Sequence, residues 1–326
     1  SKGLTSTTTT LAWRNIWRHP RRTLLTIGAM VFADMLLIFM LGIQFGQYRI
    51  MIDNSLRAFT GQMKIQEAGY KYEPSMHRSI PDADVLAGTL RDATQLDAVS
   101  VRGYGFALVS SEQRTIGAQI TGVDPRHEQY VSTIHGLIKQ GRYLGSSTAN
   151  ELVVGSTLAR NLKITTGDEL TLLGSGKDGS IAATVAPVAG IFESGNRDLD
   201  RQMLSMPIDT FRDVYSMHGD AHSIVIGGSR DNADQITAAA GEAIRENDGL
   251  VLLGWEELLP GLKQAIQADF TSAWFMYAVL IVLVAFSMLN TMLMSVLERT
   301  HEFGILLALG VRHGKLGRMI ITESTV

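Results

Sequence analysis

Two stretches of the chain are apolar without any repeat, and the region between them alternates. Residues 24–45 (LLTIGAMVFADMLLIFMLGIQF) carry a single charge, Asp34, and residues 271–297 (TSAWFMYAVLIVLVAFSMLNTMLMSVL) carry none. As helices they would rise about 33 and 40 Å, against a hydrocarbon core of about 30 Å. Both are therefore predicted to span a bilayer, with Trp274 and Tyr277 placed as interfacial anchors of the second. Residues 46–59 and 255–270 read as helical stalks continuing the two spans outward, with Pro260 as a kink. Strand-like patterning marks 62–66, 99–109, 115–121, 151–154, 169–173, 185–191, 223–226 and 250–253. Helices are predicted at 82–95 (behind Pro81), 155–162 and 232–246.

The fold class that follows is a membrane α-helical protein with a large α+β extracytoplasmic domain. Its order is a cytoplasmic amphipathic helix (1–23), a first span (24–46), the extracytoplasmic domain (47–270), a second span (271–297) and a cytoplasmic segment (298–318). Two β–α–β stretches, at about 60–112 and 208–254, predict a split α/β lobe around a mostly-β lobe at about 113–207. Arg14, Arg18, His19, Arg21 and Arg22 precede the first span, and Arg299, Arg312, Lys315 and Arg318 follow the second. The positive-inside rule puts both flanks, the N-terminus included, in the cytoplasm and the domain on the far side. Arg21-Arg22 faintly resembles a twin-arginine signal. The apolar run is longer than the 7–15 residues of a signal core, and no A-x-A-like site follows, so an uncleaved anchor is expected. The leading SKGLTSTTTT is polar and of low complexity.

Charge and composition narrow the functions. With Lys+Arg 29 against Asp+Glu 32, nothing points to nucleic acid. The absence of cysteine excludes disulfides and thiolate metal sites. Gly174-Ser175-Gly176-Lys177 lacks the rest of a phosphate-binding loop, since Thr171 and Asp178 occupy the other motif positions, and it reads as a hairpin turn. His301-Glu302 is not a zinc-protease motif, because position 305 is Ile. His218 and His222 have the spacing of metal ligands but no third ligand nearby in sequence. No nucleophile–base pair is recognisable, and a non-catalytic subunit is expected. Asp34 differs: a mid-membrane charge costs about 2.5–3.5 kcal/mol on insertion scales and faces a bundle interior or polar cavity. Asn290 in the second span would bridge neighbouring helices.

After the second span, Glu298 and Glu302 stand one turn apart beside Phe303, Leu306, Leu307 and Leu309, with Gly310 placed as a helix stop. Composition leaves open a surface anchor or a plug for a partner's groove. The string ERTHEFGILLALG at 298–310 resembles the E-R-x-x-E-[IF]-G-[IV]-L-x-A-[LI]-G signature of permeases of the FtsX/MacB superfamily of ABC transporters. LAWRNIWR at 11–18 with PRRT at 20–23 is similar to that family's N-terminal helix, and NELVVGSTLARNL at 150–162 with GDEL at 167–170 to its domain motif. The resemblance looks nearest to the lipoprotein-releasing (LolC/LolE-type) permeases.

That resemblance implies a Porter-like split lobe, a Sabre-like β lobe and four spans, of which residues 319–326 would begin the third. The sequence stops there, and the last two helices are expected to be missing from it rather than absent from the protein. The resemblance further implies residence in a bacterial inner membrane with the domain in the periplasm. Glu298, Arg299, His301, Glu302, Phe303, Gly304, Leu306 and Gly310 would couple to an ATPase subunit present in two copies. ATP and Mg would be held there, with no cofactor bound by this chain. A second permease, identical or not, would complete the assembly. A lipidated or other hydrophobic substrate would meet Asp34, Leu37, Met40, Phe45, Phe286 and Asn290, then pass to a periplasmic carrier or adaptor, with membrane lipids as further neighbours. Alternatives are a MacB-type efflux permease, an FtsX-type regulator of a cell-wall hydrolase and, from another class, a two-span sensor. Gly304, Gly310, Gly314 and Gly317 interrupt the coiled coil such a sensor would need.

Overall fold

The structure, a computed structural model, describes residues 20–228, 232–245, 247, 249–314 and 316–317. Most of the expected N-terminal amphipathic helix and the start of a third span lie outside the described residues. The chain divides into two compact units, Ile50–Lys263 and the segments on either side of it.

Helix α1 (Pro20–Ser55) opens on a proline, whose missing N–H costs a first helical turn nothing. Most of its described apolar side chains are exposed, Leu25 to 75% and Met35 to 69%, until Ile52 near its end is buried. A π-helical turn, Leu56–Thr60, follows and closes on Gly61 at φ 76°. Glycine is required there twice over, because a Cβ would sit 2.2 Å from Val225 Cγ1.

The domain then runs β1 (Met63–Glu67), α2 (Ala83–Thr94), β2 (Val99–Ser110), β3 (Thr115–Val123), α3 (Pro125–Val131), β4 (Ile138–Gly141), β5 (Leu152–Gly155) and α4 (Ser156–Leu162). It continues through β6 (Glu169–Ser175), β7 (Ile181–Phe192), α5 (Arg197–Gln202), β8 (Met203–Pro207), α6 (Ile208–Tyr215), β9 (Ser223–Ile226), α7 (Ala233–Ala243) and β10 (Leu250–Gly254). The two β–α–β stretches interleave: β1 lies between β10 and β9, and β9 pairs on its other side with β2, all antiparallel. This is a split β–α–β arrangement. The sheet does not end there. Its order is β10-β1-β9-β2-β3-β8-β5-β7-β4, with β6 bridging β2 and β7. Strand β2 belongs to both halves, since residues 99–102 pair with β9 and 107–110 with β6.

Alternation puts Ile65, Val101, Val109, Ile120, Leu172 and Ile224 into one main core. Gly103 and Gly122 face each other across β2 and β3. A Cβ on either would lie 2.3 and 2.5 Å from atoms of the Phe211 ring, so the glycine pair forms the slot that lets α6 close on the sheet. Phe211 is fully buried and stacks on Tyr215 at 4.5 Å between centroids. Gly122→Ala is expected to lose about 1–3 kcal/mol by overpacking, read as faster hydrogen exchange of the β2 and β3 amides.

After α8 (Trp255–Leu258), Leu259 leaves helical geometry (φ −123°, ψ 62°) and Pro260 starts α9 (Pro260–Glu298). The expected kink at Pro260 is therefore a break. Helices α1 and α9, of 36 and 39 residues, are long and apolar enough to cross a membrane. Helix α10 (Thr300–Ala308) follows.

Candidate functional site

Three groups of residues stand out, beginning with α10. Arg299 is non-helical (φ −106°, ψ 11°) and turns the chain between α9 and α10, while Thr300 Oγ1 donates to the Leu297 carbonyl at 2.6 Å. Arg299 Nε donates to Glu302 Oε2 at 3.1 Å, and its guanidinium lies 5.3 Å from the Phe303 ring. Phe303 is buried, whereas Ile305 and Leu309 are 52% and 76% exposed. Glu298, His301 and Gly304 are exposed, and Leu306 is half-buried. Gly310 stops the helix at φ 89°: its N–H reaches the Leu307 carbonyl at 3.0 Å and the Val311 N–H reaches Leu306 at 3.1 Å. These are the two bonds of a Schellman cap. The result is a short, capped helix presenting apolar side chains beside an Arg299–Glu302 pair, a composition that suits either a membrane-surface anchor or a plug for a partner's groove.

The second group is carried by α1 and α9. Asp34, Met40, Phe45, Phe286 and Asn290 are exposed and Leu37 is half-buried. Of these, Phe45 is brought against the other helix, 6.4 Å from the Phe270 ring. The polar links nearby join residues that sequence reasoning passed over. Tyr48 OH donates to the Asp269 carboxylate in a short hydrogen bond. Gln44 Nε2 reaches Asp269 at 3.4 Å and Tyr48 OH at 2.7 Å, and Tyr277 OH donates to Gln44 Oε1 at 3.0 Å. The available signal was the i,i+4 polar pair Gln44 and Tyr48 closing an apolar run.

The third group is inside the domain. Arg102 and Glu128 are 0% and 2% exposed and pair at 2.6 Å, with a second contact from Nε at 3.2 Å. Ser100 Oγ donates to the same carboxylate at 2.8 Å. Arg102 Nη1 donates to the Phe59 carbonyl at 2.5 Å, and its guanidinium stacks 4.1 Å from the Phe59 ring. Burial alone would lower the Arg102 pKa; the Glu128 carboxylate reverses that and raises it. A buried cation thus holds the π-helical turn that follows α1. Burial works to raise the Glu151 carboxyl, but Arg142 (3.0 and 2.5 Å) and the Gly145 N–H (2.6 Å) outweigh it and lower its pKa.

The motifs that suggested other chemistry are built into the framework. Lys177 Nζ donates to Ser79 Oγ at 2.8 Å and pairs with Asp220, and Gly176 closes on Ser180, so this is the hairpin turn of β6 and β7. His222 is fully buried, and its Nδ1 accepts the Tyr104 N–H at 2.9 Å. Among the described residues no cluster could hold a metal. Burial pushes His222 down from 6.5 to about 4. Between those values the unfolded chain binds a proton that the folded chain refuses. Its contribution is therefore full above pH 6.5 and is lost as the pH falls toward 4, by roughly 3 kcal/mol. His222→Asn, which keeps an acceptor for Tyr104, is expected to flatten the fall in urea midpoint between pH 7.5 and 4.5.

Residues 23–246 match the MacB-like periplasmic core domain family, and residues 274–326 the FtsX-like permease C-terminal family. The chain is 22% identical over 216 residues to the lipoprotein-releasing system transmembrane protein LolC of two Xylella fastidiosa strains, 64% of this chain and 52% of theirs. It thus spans about half the length of the curated relatives it matches. Among solved structures, the periplasmic region of MacB from Actinobacillus actinomycetemcomitans aligns with TM-score 0.47 and 15% identity, covering 64% of this chain and 94% of that one. The extracellular domain of the ABC-type transporter YknZ from Gram-positive bacteria gives 0.45 and 11%, covering 60% and 100%. With one family match covering most of the chain and the second following it, this protein belongs to the FtsX/MacB superfamily of ABC transporter permeases.

Proposed function

We propose that the protein is a non-catalytic permease subunit that passes the stroke of a partner ATPase to an extracytoplasmic domain, releasing a lipidated or hydrophobic substrate, a lipoprotein in the reading preferred here. The observation that carries it is α10: a capped helix with a fixed Arg299–Glu302 pair and exposed Ile305 and Leu309, one residue after a helix long enough to span a membrane. ATP and Mg belong to the ATPase, two copies of which work with two permeases. Helices α1 and α9 cross the inner membrane, α10 faces the cytoplasm and Ile50–Lys263 the periplasm. Substrate enters from the outer leaflet, meets the faces carrying Asp34, Leu37, Met40, Phe45, Phe286 and Asn290, and leaves to a periplasmic carrier.

The likeness to LolC favours lipoprotein release. The family match over residues 23–246 is equally consistent with a MacB-type efflux permease working through an adaptor and outer-membrane duct. Purification in mild detergent with mass spectrometry of bound proteins separates them. An ATPase with lipoproteins is the expected result, an ATPase with a duct would favour efflux, and a cell-wall hydrolase would favour a regulator. Absence of any ATPase would overturn the permease reading.

A further inference from the structure

One face of the domain's sheet is bare. Strands β3, β2, β6 and β7 pair side by side in that order. Their inward residues, among them Val109, Ala118, Leu170 and Leu172, are in the core. Residues 115–119, 106–110, 171–175 and 181–185 present three outward side chains from each strand with no charge among them, and Glu169 and Pro187 extend the same face at one end of β6 and β7. Five are large: Ile181 is 78% exposed and Phe106 66%, with Leu108 at 47%, Leu173 at 47% and Val185 at 49%. Leu108 and Leu173 are cross-strand partners, and Leu173 is opposite Ala183, so the apolar residues form one block. Charges return at the strand ends, at Glu112, Glu169 and Lys177.

Ser110, Thr115, Gln119, Thr171 and Ser175 are the polar members of the block and the rest are apolar or glycine, a composition suited to being half of a two-layer stack. Strands about 4.8 Å apart, with same-face residues about 6.8 Å apart, make this block roughly 20 Å by 20 Å, on the order of 400 Å². Two such faces would bury about 800 Å², short of the 1,200 Å² that typically holds freely diffusing partners together. The block also lacks the charges that steer a soluble partner. Its size and composition suit a neighbour already tethered beside it, for which effective concentration supplies what area does not. An uncharged face meets its own copy without repulsion, and a two-fold axis brings identical patches together.

We propose that this face packs sheet to sheet on the same face of a second copy of this chain. The inference rests on the reading that two permeases share one assembly. Because residues 1–326 contain no cysteine, single-cysteine variants of the full-length protein, with any cysteine outside them replaced by serine, co-expressed under two tags in native membranes, test it directly. Leu173→Cys, near the centre of the block, is expected to give a disulfide-linked homodimer under mild oxidation. Val85→Cys on α2, 71% exposed, is expected to stay monomeric. Adding Ile181→Glu to Leu173→Cys should cut the dimer yield at least fivefold. If the two tags co-purify but Leu173→Cys links no better than Val85→Cys, the face is wrong and the two-copy assembly stands. If an ATPase co-purifies but the second tag does not, the permease reading stands and the identical partner is overturned.

Discussion

Replacing Arg102 with methionine is expected to destabilise the domain by about 3–5 kcal/mol. The guanidinium is fully buried and satisfies three things at once: both oxygens of Glu128, the Phe59 carbonyl, and the face of the Phe59 ring. Without it the Glu128 carboxylate stays buried with Ser100 as its remaining side-chain donor, and an uncompensated buried charge is what makes such deletions costly. Removing both charges, as Arg102→Met with Glu128→Leu, should return stability to within about 1–2 kcal/mol of the parent, because buried pairs often exchange for apolar ones at little net cost. The double variant still lacks the donor to Phe59. Hydrogen exchange is therefore expected to remain fast in the Leu56–Thr60 turn while the sheet recovers its protection. Equal recovery of turn and sheet would show that Arg102 serves Glu128 and not the turn.

The second large effect is functional. Glu302→Lys is expected to abolish substrate-stimulated ATP hydrolysis in the assembled complex while leaving folding nearly unchanged. The Arg299–Glu302 pair is partly exposed, and exposed i,i+3 pairs contribute about 0–1 kcal/mol. Loss of activity would then report the docking surface rather than the helix. Exchanging the charges, Arg299→Glu with Glu302→Arg, preserves the local pair but inverts what a partner meets, so it is expected to stay uncoupled. Recovery of stimulation in the exchanged variant, or undiminished stimulation in Glu302→Lys, would remove Glu302 from the coupling surface.

How far the sequence could be read depended on whether period and burial agreed. Strands β2, β3, β6 and β7 alternate because one face is core and the other open, and the pattern placed them within a few residues. Strand β8 is buried at every position and shows no period; α6 does repeat, with Ile208, Phe211 and Tyr215 on one face, but it is only eight residues long and follows β8 without a gap, and both were missed. Gly103 and Gly122 looked like ordinary strand glycines until Phe211 arrived from about a hundred residues away. Alternation puts Arg102 on the face opposite Val101 and Val99, and nothing local shows that this position is buried, since its partner Glu128 lies on α3. Tyr48 and Asp269 are joined across 221 residues. In each case the missing information was a long-range contact, which no local pattern encodes. The α10 segment was legible because its capping glycine, ion pair and apolar positions are all local.

The placement of β1 also sets a timetable for the chain's own assembly. Its two neighbours, β9 and β10, are made last among the strands, so after Glu67 the chain must grow by 156 residues before Ser223 supplies the first partner. At the 5–20 residues per second of synthesis, that is about 8–30 s during which both edges of β1 stand open. Unpaired edges of this kind recruit other strands. Biogenesis should therefore call on holding factors in proportion to translation time, and slowing synthesis between residues 67 and 223 should lower the yield of folded protein more than slowing it after Gly254.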